Sequence, residues 1–390
     1  MRRETDGHVR LRTIAREWGR IGCIGFGGPP THIALLRKLC VEQRAWLSAG
    51  EFEDAIASTN LLPGPASTQL AIFCAWRLRG PIGGILGGIC FILPGLVVIL
   101  GLSAVFLAAD PPRWVLGAAA GAGAAVPVVA VHAGVGLMPA SWRRAGERRA
   151  NRARWLLYLV AGAASAATVG ARLVLVLIVC GAIEVIVRPR SGPPAPRRSA
   201  VVLAPLGTSS VAVGGLAALA WVAFKVGALS YGGGFVIIPL MQHDAVVAYH
   251  WLTGSQFLNA VALGQITPGP VVQTVAVVGY AAAGLGGGLL AALIAFTPSF
   301  VFVLAGGRHF SRLRSSPGVQ AFLSGAGPAS IGAITGAAIP LALELNHAWQ
   351  LAVLALAAVW VLGLRKNTVI ALVGAGVLGT IAAFAGAALR

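Results

Sequence analysis

The hydrophobic pattern of this chain consists of long apolar runs that alternate with short polar or basic segments. Five of these runs are Ile82–Ala109, Trp114–Met138, Val201–Phe224, Leu289–Gly306 and Thr368–Leu389. Each is close to the length of about 20 residues with which a helix crosses a bilayer. A further stretch, Trp155–Val187, is long enough for two helices. The pattern therefore predicts an all-α polytopic integral membrane protein.

The composition supports this prediction. Hydrophobic residues make up 57% of the 390 residues, charged residues only 11%, and the mean hydropathy is +0.81; a soluble domain has about 25% charged residues. The basic first residues are not followed by a short apolar segment with a small-residue cleavage site, so we expect no signal peptide. The five cysteines show no paired spacing, so neither a metal site nor a cofactor is predicted.

The chain contains one unit twice. With a constant offset of 205 residues over about seventy residues, Gly27-Gly28 aligns with Gly232-Gly233, Trp46-Leu47 with Trp251-Leu252, Phe52 with Phe257, and Pro63-Gly64-Pro65 with Pro268-Gly269-Pro270. Two copies of one unit in an apolar chain are typical of secondary transporters, whose substrate site lies where the repeats meet.

The basic residues predict the orientation of the chain. The net charge is +18, and the arginines cluster in short segments between the apolar runs, at residues 1–20, 143–154 and 188–198. Basic loops stay in the cytoplasm, which explains the charge better than a nucleic-acid partner does. We therefore expect a cytoplasmic N-terminus and no nucleic-acid binding.

The second copy has the opposite charge bias. The basic loop 143–154 corresponds to Glu344–His347, which has no Lys or Arg, whereas Arg308, Arg312 and Arg314 occupy the place of the sparsely charged 110–113 loop. The first copy has only a basic, amphipathic stretch where Val201–Phe224 precedes the second, so we interpret Val201–Phe224 as one extra crossing that inverts the second copy.

The expected architecture is two inverted repeats with about 12–13 transmembrane segments. The predicted division is a basic N-terminal segment (1–20), a first repeat (21–188), a Pro-rich linker with the connecting helix (189–224) and a second repeat (225–390). Re-entrant or broken helices are predicted at the Gly-Gly and Pro-Gly-Pro motifs.

The predicted substrate site lies at these helix breaks. Proline removes an amide donor and clashes with the preceding turn, so a helix stops or unwinds there, and unpaired backbone at membrane depth survives only where it lines a cavity or is buried in protein. A half-helix N-terminus at such a break suits an anion. The alternative is that these residues only kink helices or allow them to pack closely.

The candidate binding residues come from both copies. They are Gly27, Gly28, Asn60, Pro63, Gly64, Pro65, Ser67 and Arg77 in the first, and Lys225, Ser230, Tyr231, Gly232, Gly233, Gln265, Thr267, Pro268, Gly269 and Pro270 in the second. The neutral groups replace water around an oxyanion, and the two cations attract it; each cation could instead anchor the chain at an interface. His32 could carry a proton near neutral pH, but because its counterpart is Ile237 we interpret it as a structural histidine.

The motifs resemble those of the chromate transporter family in its long, two-domain form. They are Phe26-Gly27-Gly28-Pro29 with His32, Leu62-Pro63-Gly64-Pro65-Ala66-Ser67, the run Lys225–Gly234 and Thr267-Pro268-Gly269-Pro270. The resemblance implies chromate efflux across the bacterial inner membrane, which confers chromate resistance, with sulfate as the physiological look-alike. Thr31 and Tyr231 depart mildly from the family pattern.

The residues themselves indicate only an anion, so two alternatives remain open. One is a permease for sulfate or another oxyanion; the other is a membrane enzyme or a flippase acting on a phospholipid phosphate. An enzyme needs a convergent acid, base or metal set, and no such motif is present in the sequence, so we predict no enzyme activity. The expected partners are chromate or sulfate and the lipid bilayer, with a homodimer as a further option.

Overall fold

The computed structural model describes residues 9–60, 62–168, 173–187, 215–230, 234–306 and 316–388. These residues form α-helices with short 3-10 and π-helical extensions, joined by turns, and no strand occurs among them. The predicted all-α class is confirmed.

The described part of the first repeat contains seven helices. They are α1 (Leu11–Ile24), α2 (Pro29–Arg37, continued by a π-helical segment over Lys38–Gln43), α3 (Ala49–Thr59), α4 (Ala66–Phe106), α5 (Arg113–Ala145), α6 (Arg149–Thr168) and α7 (Leu173–Val187). The backbone of α4 leaves helical geometry at Arg79 and Gly80, where Gly80 has a φ of 63°. Residues 66–78 are therefore a short arm of α4 and residues 81–106 a long arm.

The second repeat follows the same order. Its helices are α8 (Leu216–Leu229), α9 (Ile238–Gln242, between Phe235–Ile237 and the π-helical His243–Ala248), α10 (Gly254–Ile266), α11 (Thr274–Gly306, after the 3-10 turn Val271–Gln273), α12 (Pro317–Gly336), α13 (Ala338–Leu343), α14 (Ala348–Ala358, continued over Val359–Gly363) and α15 (Thr368–Phe384). α11 also has two arms, because its backbone breaks at Ala283 and Gly284.

Local sequence explains why equivalent helices begin at equivalent places. The side chains of Ser48 and Thr253 each accept a hydrogen bond from the backbone amide of the third residue of the following helix. The side chains of those third residues, Glu51 and Gln256, in turn accept a hydrogen bond from the backbone amide of Ser48 or Thr253. Both α3 and α10 therefore start with a capping box. Each of these helices then ends at a Pro-Gly-Pro motif, which cannot continue it. The sequence repeat thus places the starts and the ends of these helices at equivalent positions.

The structure adds two details to the repeat. α1 and α8 have 14 residues each and are offset by 205 at both ends, so the equivalence of the two copies extends to these helices, ahead of the predicted repeat starts at residues 21 and 225. Residues 201–214 of the predicted connecting helix lie outside the described residues. The offset also changes to 204 after the Pro-Gly-Pro motifs, as the breaks at Gly80 and Gly284 show.

The long arms of α4 and α11 show that the second repeat is inverted. Side-chain carbons placed on Gly84 and Gly288 would lie 2.9 Å from Leu304 and 2.5 Å from Leu100, respectively, so residue numbers rise along one arm as they fall along the other. Both arms belong to helices that are long and apolar enough to cross a membrane. Equivalent membrane helices that run antiparallel place the repeats in opposite orientations.

The earlier segments of the first repeat form two hairpins rather than crossings. Arg44, after the π-helical segment, donates to Glu17 of α1 at 2.8 Å, so α2 runs back beside α1. Arg77, near the end of the short arm of α4, donates to Glu51, at the start of α3, at 2.9 Å. α1 has 14 residues and so extends about 21 Å, less than the hydrocarbon thickness of about 30 Å.

A hydrophobic pattern does not distinguish the arm of a hairpin from a helix that crosses the membrane. Four helices in the described ranges are long and apolar enough to span a membrane alone: Ala66–Phe106, Arg113–Ala145, Val271–Gly306 and Pro317–Leu343. Five shorter apolar helices accompany them in these ranges, among them Leu173–Val187 and Thr368–Phe384, and the number of 12–13 segments stays a prediction. Apolar side chains such as Ile89 of α4 and Leu293 of α11 are exposed along the long arms, as lipid-facing residues are.

The ends of the two repeats are exchanged. A side-chain carbon on Gly325 of α12 would overlap the carbonyl oxygen of Cys180 in α7, and one on Gly121 of α5 would overlap that of Ala375 in α15. The last helix of each repeat thus packs on the other repeat, at positions where only glycine lets the backbones approach so closely.

Candidate functional site

The tips of the hairpins meet where the repeats face each other. The amide of Gly269 donates to the carbonyl oxygen of Gly25 at 2.9 Å, which joins the second Pro-Gly-Pro motif (268–270) to the first glycine motif (25–30). Side-chain carbons on Gly28 and Gly234 would lie 3.7 Å and 3.3 Å from Val271. Breaks that are far apart in the sequence therefore form one cluster between the repeats.

Each Pro-Gly-Pro motif also rests on the long arm of the other repeat. A side-chain carbon on Gly95 of α4 would overlap the carbonyl oxygen of Pro268. In the equivalent position, Ser299 of α11 would lie 3.1 Å from a side-chain carbon on Gly64 of the first motif (63–65). These reciprocal contacts are those expected of a two-fold arrangement.

Helix N-termini point into this cluster. The short arm of α4 begins at Ala66, immediately after Pro65, and has no side-chain cap. The first amide to bond back within this arm is that of Gln69, which donates to the Pro65 carbonyl at 3.0 Å. The amides before it have no partner within the helix, and the aligned peptide dipoles add about half a positive charge there.

Several buried polar atoms in and around the tips have no hydrogen-bond partner. They are Thr68 Oγ1, Gln69 Oε1, Ser230 Oγ, Gln265 Nε2, Gln273 Oε1 and Ser299 Oγ. A buried polar group without a partner costs about 1–3 kcal/mol, so six of them near one place need a common explanation. A bound polar ligand with its water supplies one.

His32 links the two hairpins of the first repeat. Its side chain is fully buried; Nε2 lies 2.9 Å from the carbonyl oxygen of Gly25, and Nδ1 lies 3.1 Å from Ser67 Oγ. Its ring meets Phe91 of α4 edge to face at 5.0 Å between centroids. His32 is thus hydrogen-bonded to both tips, which a purely apolar packing residue would not be.

Contacts join Gly28, Gly64, Ser67, Pro268 and Gly269 to the cluster, and the predicted residues differ in their exposure. Gly28, Gly64, Pro65, Ser67, Ser230, Thr267, Pro268, Gly269 and Pro270 are buried, Gln265 is half-buried, and Gly27, Asn60 and Pro63 are exposed. Tyr231, Gly232 and Gly233 lie outside the described residues. Thr267 uses its hydroxyl to donate to Leu263 O at 2.9 Å.

The two predicted cations are paired with acids. Lys225 donates to Asp244 at 2.6 Å, and Arg77 donates to Glu51 at the outer end of its hairpin. Residues 66–78 separate Arg77 from the tip by most of the short arm, or about 18 Å of helix. Arg77 therefore lies away from the cluster, and the charge of Lys225 is balanced.

Two residues of the cluster were missed by sequence reasoning. Gly95 and Ser299 lie within long apolar helices, where a glycine or serine is common. A signal was present, because each directly follows a proline within its helix, Pro94 or Pro298, at equivalent positions of the repeat. No group of three or more His, Cys, Asp or Glu side chains in the described part of the chain could hold a metal ion.

Comparisons with known proteins agree with this arrangement in two halves. The family model of the chromate transporter matches residues 12–185 and 217–380. A chromate transport protein of Cupriavidus metallidurans is 33% identical over 343 residues, which cover 85% of this chain and 82% of the relative. A probable chromate transport protein of Synechococcus elongatus is 28% identical over 95% of both chains. No solved structure matches the chain significantly.

Proposed function

Because the chain belongs to the chromate transporter family, we propose that it is a secondary transporter that exports chromate across the bacterial inner membrane and so confers chromate resistance. The observation that carries this proposal is the cluster of hairpin tips between inverted repeats, where helix N-termini and unpaired buried hydroxyls converge. Secondary transporters with inverted repeats bind substrate at such broken helices.

The proposed binding site is built from neutral groups. The free amides at the start of the short arm of α4, together with the unpaired hydroxyls of Thr68 and Ser299, can donate hydrogen bonds to oxygen atoms of a tetrahedral dianion. Ser230 and Gln265 supply donors from the second repeat. Neutral donors hold an oxyanion without the strong pairing to a full charge that would slow its release.

The different exposure of the two Pro-Gly-Pro motifs supports alternating access. Pro63 is exposed, whereas its counterpart Pro268 is buried. If two inverted repeats exchange their conformations, the opening to the site moves from one face of the membrane to the other. We therefore propose that the tips open in turn, with the anion held between them.

The proposed orientation places the base of the first-repeat hairpins in the cytoplasm. Arg10, Arg12, Arg16, Arg77 and Arg79 lie near that end, and basic residues favour the cytoplasmic side. Labelling of single cysteines placed at residues 149 and 110 should report the inside and the outside, respectively. Labelling of both from the same side would contradict the orientation and the crossing of α5.

Transport into everted membrane vesicles tests the function. Labelled chromate should accumulate in vesicles that contain the protein, and sulfate competition should show whether the site prefers either anion. Uptake of sulfate without chromate would favour the oxyanion permease, and turnover of a phospholipid phosphate without anion uptake would favour the enzyme or flippase. A vesicle preparation with the Gly64→Leu variant gives the matched background.

A further inference from the structure

We infer that His32 and Ser67 form a protonation-controlled hydrogen-bond switch, so that the site binds its oxyanion together with a proton. This inference rests on the proposed function and assigns His32 a role beyond the structural one that its sequence position suggested. The starting observation is that both ring nitrogens of a fully buried histidine are committed, one to Gly25 and one to Ser67.

The two partners fix the direction of the hydrogen bonds. The Gly25 carbonyl oxygen can only accept, so Nε2 carries a hydrogen and donates to it. In the neutral ring Nδ1 then has no hydrogen, so it accepts, and the hydroxyl of Ser67 donates to it. The hydrogen of Ser67 is thus directed at His32 and away from the tip.

Protonation of the ring reverses the second bond. Nδ1 gains a hydrogen and donates to Ser67 Oγ, which now accepts, so the hydroxyl hydrogen of Ser67 becomes free to donate elsewhere. Ser67 precedes Thr68, whose buried hydroxyl has no partner, at the uncapped start of the short arm. One proton therefore adds one hydrogen-bond donor and one positive charge at the proposed anion site.

Binding of the anion and of the proton must then reinforce each other. A dianion is held more strongly by the protonated form, and by linkage its presence makes protonation more favourable by the same factor. The loaded site carries one negative charge fewer than the dianion alone, and a membrane potential that is negative inside still favours its outward movement.

The second repeat has no such switch. The counterpart of His32 is Ile237, and Val271 and Val272 occupy the places of Ser67 and Thr68. These three apolar side chains are all buried. The switch is therefore a property of the first repeat alone, and a purely structural histidine would not need a hydroxyl partner found only beside it.

No ionisable group directly contacts the ring in the described part of the chain. Its close partners are Gly25, which directly follows α1, and Ser67 and Phe91 on α4, none of which titrates. The titratable and charged groups on the packed elements are Arg12, Arg16, Glu17, Arg20 and Cys23 on α1, Arg37, Lys38, Cys40 and Glu42 after His32, and Cys74, Arg77, Arg79 and Cys90 on α4. Glu17 and Arg77 are engaged in ion pairs toward the outer ends of the hairpins.

The test is binding of labelled sulfate to the purified full chain at a series of pH values. Sulfate stays a dianion near neutral pH, whereas chromate itself takes up a proton there, so sulfate reports protonation of the protein alone. We expect the wild-type affinity to fall about tenfold per pH unit once His32 deprotonates. A weakly buffered sample should also show uptake of about one proton per anion bound.

Three variants separate the switch from general effects. His32→Gln keeps an amide donor for Gly25 but cannot titrate, so its sulfate affinity should be independent of pH and its proton uptake lost. Ser67→Ala keeps the histidine but removes its connection to the site, so both signals should shrink. His132→Gln on α5 is the matched control and should behave as wild type.

The outcomes decide between the switch and a structural histidine. A wild-type protein that binds sulfate with no pH dependence, or a folded His32→Gln variant with the wild-type dependence, overturns the inference. If His32→Gln does not fold, Ser67→Ala decides in the same way. If sulfate binds too weakly to measure, chromate can replace it at pH values where chromate is fully deprotonated. If neither anion binds at any pH, the result rejects the proposed function rather than the switch.

Discussion

The two Pro-Gly-Pro motifs have the same backbone break but different surroundings. At the first, Pro63 is exposed and the following helix begins with the hydroxyls of Ser67 and Thr68. At the second, Pro268 is buried, and the next residues are Val271 and Val272, whose side chains pack near the glycine motifs. The residues that directly follow the break are thus polar at the first motif and apolar at the second.

The two motifs therefore differ in two ways, in their exposure and in the residues that follow them. The difference in exposure belongs to one conformation and would reverse if the repeats exchanged their shapes. The difference between hydroxyls and valines is part of the sequence and stays in every conformation. We therefore expect the residues that follow the first motif to contribute more to anion binding than those that follow the second.

The largest effects are expected from filling the glycine of each motif. Gly64 and Gly269 have φ values of 122° and 101°, which leucine rarely adopts, and each lies against a glutamine side chain. Gly64→Leu and Gly269→Leu should each lose chromate uptake and still insert into the membrane, because both glycines are buried and meet a flexible glutamine side chain. Normal uptake by either inserted variant would show that its motif only kinks a helix or allows close packing.

Exchange of the residues that follow the motifs tests the division of roles directly. The double change Ser67→Val and Thr68→Val should raise the chromate concentration for half-maximal uptake by about tenfold or more, since a hydrogen bond to a charged group contributes about 1.5–3 kcal/mol. The reciprocal Val271→Ser and Val272→Thr should leave it nearly unchanged. Equal effects in the two repeats would show that the tips share the anion evenly.

Lys225 should matter more for stability than for affinity. Its partner Asp244 is buried, and removal of one member of a buried pair costs about 3–5 kcal/mol. Lys225→Gln should therefore lower the thermal stability of the purified protein, and addition of Asp244→Asn should restore much of it. A folded Lys225→Gln variant with a strongly raised half-maximal concentration would instead return Lys225 to the anion site.

The smallest effect is expected for Arg77. Hydrogen bonds from the backbone and side chain of Ser48, and then from Arg77, lower the pKa of Glu51. The stabilisation is present above the ordinary carboxyl range and is lost as the pH falls through the lowered pKa. Because the pair is exposed, Arg77→Gln should cost at most about 1 kcal/mol and leave uptake unchanged, which unfolding curves and vesicle assays can check.

Some of this arrangement could be predicted from the sequence, and the reasons are specific. The repeat, its inversion and the broken helices follow from spaced Gly and Pro residues and from loop charge, which are local signals. α1 was not assigned to the first repeat because Arg12, Arg16 and Arg20, on its more exposed side, give this stretch a basic character. Ser299 and Gly95 were missed because their role comes from contacts with the opposite repeat, and no local pattern records those.

The exchanged ends of the repeats have a consequence for biosynthesis. α7 completes its packing only against α12, and α15 fills the place beside α5. A ribosome finishes the first repeat long before α12 emerges, so that half must wait in the bilayer with glycine-lined surfaces uncovered. The first half therefore completes its packing only after the second half has been inserted.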